Sequence, residues 1–108
     1  MKVKDSSIKI HGLQLPMRRV MKVCEVEYKK YGQDYIITAG LDGEHMAGSY
    51  HYFGYALDSR VYTLSLEDQN KLAEEIRTQL GAAYTVLLHP DHHLHIQYNV
   101  QSIEGGLQ

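Results

Sequence analysis

Two stretches of this chain concentrate the side chains that can hold a metal ion or move a proton. Residues 38–58, Thr-Ala-Gly-Leu-Asp-Gly-Glu-His-Met-Ala-Gly-Ser-Tyr-His-Tyr-Phe-Gly-Tyr-Ala-Leu-Asp, carry four glycines, two histidines and two aspartates, and they offer a core little apolar surface. The second stretch, His89-Pro-Asp-His-His-Leu-His95, packs four of the chain's seven histidines into seven residues. Imidazole and carboxylate are ligands that zinc prefers, and a catalytic zinc site takes three of them and keeps a fourth position open for water. His51, Asp58 and His95 can converge on one ion if the strands carrying the last two are neighbours. Spacing alone leaves a solvated strand face as the alternative, because short His-X-His patterns recur by chance.

The elements that must position these residues follow from apolar periodicity. Met17, Val20, Met21, Cys24, Tyr28 and Tyr31 fall at helical steps after Pro16, with Gly32 as the stop. Tyr35 to Ala39 reads as a short buried strand ended by Gly40, and Tyr55 to Tyr62 as a second strand with Ala56, Asp58 and Arg60 on one face. Ser65 and Asp68 form a helix start, Leu72, Ile76 and Leu80 its apolar stripe, and Gly81 its end. Tyr84 to Leu88 is a compact strand and Pro90-Asp91 a turn. From His93 to Val100 the pattern has period two, so Leu94, Ile96, Tyr98 and Val100 face a core and His93, His95, Gln97 and Asn99 face away from it.

The expected architecture is α+β: a small, mainly antiparallel sheet with helices on one face and a zinc cleft on the other. At 108 residues it makes a single domain over 1–108, with a frayed tail at about 102–108. A net charge of -2 with scattered Lys and Arg gives no field for a phosphate backbone, so nucleic acid is not an expected partner. Cys24, the sole cysteine, lies on the first helix's apolar stripe and reads as a core residue. The amino terminus lacks the apolar run of a signal peptide and no segment is long enough to span a bilayer, so no membrane insertion and synthesis in the cytoplasm are expected.

The segment Ser49-Tyr-His51-Tyr-Phe-Gly54-Tyr-Ala56-Leu-Asp58 resembles the Ser-X-His-X-X-Gly-X-Ala-X-Asp motif of the zinc D-alanyl-D-alanine carboxypeptidases and related phage cell-wall peptidases. It is also similar to the hedgehog amino-terminal signalling domain, which shares that fold, and the likeness to hedgehog continues upstream through Thr38, Gly40, Asp42-Gly43 and His45. His93-Leu-His95 resembles the family's closing His-X-His, so the likeness spans about residues 36 to 98. It implies that His51, Asp58 and His95 are the Zn2+ ligands. Gly54 and Ala56 then let the backbone turn close to the metal, and Ser49 orients a ligand or simply makes a turn.

The chain departs from the family at the catalytic base. The carboxypeptidases place a glutamate where this chain has His92, hedgehog proteins place one where it has His89, and no glutamate lies between Glu75 and Glu104. The family's carboxylate-binding arginine after the Thr-X-Gly strand end is also missing; Arg60 or Arg18 can supply one from elsewhere. Lysostaphin-like enzymes use the first histidine of the His-X-His pair as catalytic partner, and His93 has that position. His93 is thus the first candidate base, with Asp91 and His89 as alternatives, His92 least favoured, and His45 a candidate to stabilise an oxyanion.

The function implied is a zinc metallopeptidase hydrolysing peptide bonds in bacterial cell-wall peptidoglycan, of phage endolysin or tail-associated type, released at lysis or carried on a virion. Its partner is then a peptidoglycan peptide. A zinc-stabilised binding module without catalysis, or a virion scaffold of the same fold, is the alternative.

Overall fold

The computed structural model describes residues 1–5, 14–40 and 54–99. Its elements are β1 (Lys2–Val3), α1 (Pro16–Lys29), β2 (Ile36–Ala39), β3 (Ala56–Arg60), α2 (Leu66–Leu80), β4 (Tyr84–His89) and β5 (His93–Tyr98). The strands form one sheet in the order β1-β2-β3-β5-β4, antiparallel at every pairing except β1 with β2. The α+β, mainly antiparallel expectation is therefore met. Strand β1 leaves no signal in the sequence, because its two residues are too few to show a period, and it is held by pairing with Ile36 and Ile37.

Each helix is set by its ends. Pro16 opens α1, where its missing N–H is no loss, and after Lys29 the chain turns through Gly32, whose φ of 68° favours glycine. Ser65 caps α2 by accepting a hydrogen bond from the Asp68 N–H at 3.1 Å, and Gly81 leaves the helix at φ 84°.

Met17, Val20, Cys24 and Tyr28 of α1 and Leu72, Ile76 and Leu80 of α2 are buried in one core with Ile37, Leu57, Val86, Leu94 and Ile96 of the sheet. Full burial of one such aliphatic side chain contributes about 1.5–3 kcal/mol, so this face fixes strand register. Tyr28 Oη lies 2.8 Å from Ser59 Oγ, and the Arg77 guanidinium donates to the Val86 carbonyl at 2.7 Å, tying α1 to β3 and α2 to β4. Cys24 is fully buried, and burial pushes its thiol up, as suits a core residue.

Because side chains alternate along a strand, burying Leu57, Ser59, Leu94 and Ile96 on the helix side turns Asp58, Arg60, His93, His95 and Gln97 to the other face. No helix among the described residues is long and apolar enough to cross a membrane.

Candidate metal centre

The β3–β5 ladder sets Asp58 opposite His95 and Arg60 opposite His93, and the β4–β5 ladder sets Leu87 opposite His95 and His89 opposite His93. Two neighbouring rows of the open face thus read Arg60, His93, His89 and Asp58, His95, Leu87. Of the three expected ligands, Asp58 and His95 come together. His51 lies outside the described residues, as do His45 and Ser49. Among the described residues no group of three or more His, Cys, Asp or Glu side chains forms a metal cage.

His95 is held at both ring nitrogens. Nδ1 is 2.8 Å from Asp58 Oδ1, and Nε2 is 2.8 Å from Gln97 Oε1. Both partners are acceptors, so both nitrogens must donate, and only the imidazolium can do that; rotating the Gln97 amide would instead allow a neutral ring. Burial pushes His95 down, but the hydrogen bonds from Asp58 and Gln97 and the Asp58 charge outweigh it and hold its pKa above the ordinary 6.5. Positive charge is therefore favoured between Asp58 and His95.

A divalent ion can meet that demand in place of the proton. Nitrogen and carboxylate oxygen are zinc donors, and two ligands in a tetrahedral site stand roughly 3.3 Å apart, about half an ångström wider than the present pair. Gln97 would keep its bond to Nε2–H, the outer hydrogen bond that orients a ligating imidazole. The donor types of this pair suit such an ion, and among the described residues they supply two of the three ligands expected.

His93 directs Nε2 toward the other Asp58 oxygen at 3.9 Å. Burial lowers its pKa; the Asp58 charge opposes this, while His89, His92 and His95 add to the lowering, leaving a net value below 6.5. Its ring stacks on His89 at 4.4 Å between centroids and meets His92 edge-on at 5.6 Å. Strand β5 begins at His93, so His92 sits in the preceding turn, where its N–H donates to the His89 carbonyl at 2.9 Å.

Asp91 has a distinct local role. Its Oδ1 accepts from Gln69 Nε2 at 2.9 Å and its N–H donates to Gln69 Oε1 at 2.8 Å, while the same Gln69 nitrogen reaches the Leu64 carbonyl at 2.9 Å. This bracket from α2 holds Asp91 at φ 58°. Neither Gln69 nor Gln97 belongs to a recognisable functional motif; period two puts Gln97 on the His95 face, and nothing local signals Gln69.

No protein-family model, curated protein or solved structure matches this chain. The chemistry of the centre therefore stands on its own residues.

Proposed function

We propose that this chain is a zinc-dependent peptidase acting on the peptides of bacterial peptidoglycan. The observation that carries the reading is the Asp58–His95 pair, an imidazole and a carboxylate 2.8 Å apart on neighbouring strands, with His93 beside them. Asp58 and His95, joined by His51, would hold the ion. When bound, zinc polarises a carbonyl and makes water a stronger acid. Gln97 fixes the His95 ring, and His93, whose Nε2 faces the centre, takes a proton at that atom. The cell-wall substrate class, and association with a phage lysis enzyme or virion, rest on the likeness of residues 49–58 and 93–95 to the peptidase motifs.

One observation favours the second reading, a zinc-stabilised binding module or scaffold. All five described glutamates, Glu25, Glu27, Glu67, Glu74 and Glu75, belong to α1 and α2, so among the described residues the open face carries no glutamate base. Hydrolysis of cell-wall peptides by the parent protein separates the readings, and His93→Ala tests the base: the peptidase reading expects zinc content near one per chain and turnover reduced at least a hundredfold. Zinc retention with unchanged turnover would remove His93 from the mechanism.

A further inference from the structure

Among the described residues the sheet ends at β4, which pairs with β5 alone. In an antiparallel ladder the N–H and C=O of one residue point to the same side, and those of the next residue to the other. The Ala83 carbonyl takes the Asn99 N–H at 2.8 Å, on the β5 side, whereas the Tyr84 N–H goes to the Gly81 carbonyl and the Val86 carbonyl to Arg77. Tyr84, Val86 and Leu88 therefore direct their backbone groups away from β5, to the free edge. Such an edge is a template for another strand, and edge charges, prolines and bulges are the usual defences. The β4 run Tyr-Thr-Val-Leu-Leu-His carries no Lys, Arg, Asp, Glu or Pro, and it pairs with β5 from Tyr84 to His89 without a register shift. Its defence comes from α2: the Arg77 guanidinium, held by Glu74, crosses to the Val86 carbonyl, and Val86 is 3% exposed beneath it. Leu87, on the open face beside His95, is 49% exposed.

We propose that the β4 edge docks a second copy of this chain, with Arg77 as the latch that sets how readily it does so. Antiparallel pairing about a two-fold axis at Leu87 sets Val86 of each copy opposite Leu88 of the other, uses the outward backbone groups of both, and leaves the Tyr84 N–H with Gly81. Leu87 then meets Leu87 at a position without backbone bonds, where opposed side chains come closest, and Val86 meets Leu88 on the helix side. The strand is its own complement: the exposed leucine finds its match, and no like charges on β4 are opposed. A foreign peptide would need to carry that apolar pattern, whereas a second copy supplies it by symmetry. The obstacle is the Val86 carbonyl, which Arg77 must release to a backbone N–H. Because His95 and Leu87 lie on one level, the two Asp58–His95 pairs would stand about 14 Å apart, three strand spacings, on one continuous face. A role for that spacing in substrate binding rests on the peptidase reading; the interface does not.

Sedimentation of the full chain from about 10 μM to about 1 mM measures the dimer constant. Arg77→Ala should dimerise within that range, at least about tenfold more tightly than the parent, because the Val86 carbonyls of both copies are freed. Adding Leu87→Lys should return a monomer, since two ammonium groups would meet on the axis; Leu87 is exposed, so the fold tolerates the change. Leu87→Cys, with oxidised glutathione as oxidant, should give a disulfide-linked dimer. Thr85→Cys should not, because Thr85 of one copy lies opposite His89 of the other, and Cys24 is fully buried and takes no part. Should Arg77→Ala fail to fold, the Leu87→Cys link in the parent background decides. An Arg77→Ala protein that dimerises no more tightly than the parent, a dimer that survives Leu87→Lys, or equal linking at positions 85 and 87 overturns the proposal. So does protection of the Val86 and Leu88 amides from hydrogen exchange only on adding a cell-wall peptide, which would give the edge to a foreign strand. No readout here involves turnover, so failure of the peptidase reading leaves each of them unchanged.

Discussion

In the metal-free protein, Asp58→Asn should destabilise the fold at low pH far more than at high pH. The substitution nearly preserves shape and removes the charge facing His95 Nδ1 at 2.8 Å, in a contact whose side chains are only 15% and 17% exposed. A hydrogen bond between charged groups with so little solvent screening contributes about 1.5–3 kcal/mol. His95 has its pKa raised on folding, so this stabilisation is fully present below the unfolded value of about 6.5 and is lost as pH rises through the higher folded value. Above that value the ring is neutral, and the new amide can donate to Nδ1. At about pH 5.5, Asp58→Asn should therefore cost about 2 kcal/mol, lowering Tm by roughly 10 °C for a domain of this size. At about pH 8.5 the difference should shrink below about 1 kcal/mol. Urea unfolding of chelator-treated parent and variant at both pH values measures it. A difference that is equal at the two values, or larger at the higher one, would refute the imidazolium assignment.

Two further substitutions separate the outer supports of the centre. Gln97→Leu removes the acceptor at His95 Nε2 and should weaken zinc affinity about 10- to 100-fold while leaving the sheet intact, read by competition with a chromophoric chelator. Gln69→Leu removes three hydrogen bonds, two of them to Asp91, and should lower stability by about 2–3 kcal/mol; zinc affinity should change little because Gln69 is on α2 and not on the open face.

Much of the fold was legible because one face of each element is apolar. The stripe of Leu72, Ile76 and Leu80 between Ser65 and Gly81 marks α2 almost to the residue, and alternation from His93 sorts β5 into buried and open faces. The adjacency of Asp58 and His95 was legible only as a condition, since it depends on β3 pairing with β5 across the intervening α2 and β4. Alternation sets a side chain's face but not its neighbour. β1 is too short for any pattern, and the Gln69 bracket on Asp91 joins positions 22 residues apart through a side chain that reads as an ordinary helix residue. Arg60 was visible as a candidate clamp, yet its Nε, buried and unpaired among the described residues, and its stacking on Tyr62 are products of packing. His51 and His45 lie outside the described residues, so their parts in the centre remain expectations from the motif.

The proposed metal-dependent cleavage of cell-wall peptides is tested most directly by digestion of purified peptidoglycan of several chemotypes, with mass analysis of the released fragments. The zinc-loaded protein should release peptides with new amino and carboxyl termini from at least one chemotype; a chelator should abolish release and added zinc restore it. A protein that carries one zinc per chain and releases nothing from any chemotype would contradict the peptidase account and leave the zinc-stabilised binding module in its place.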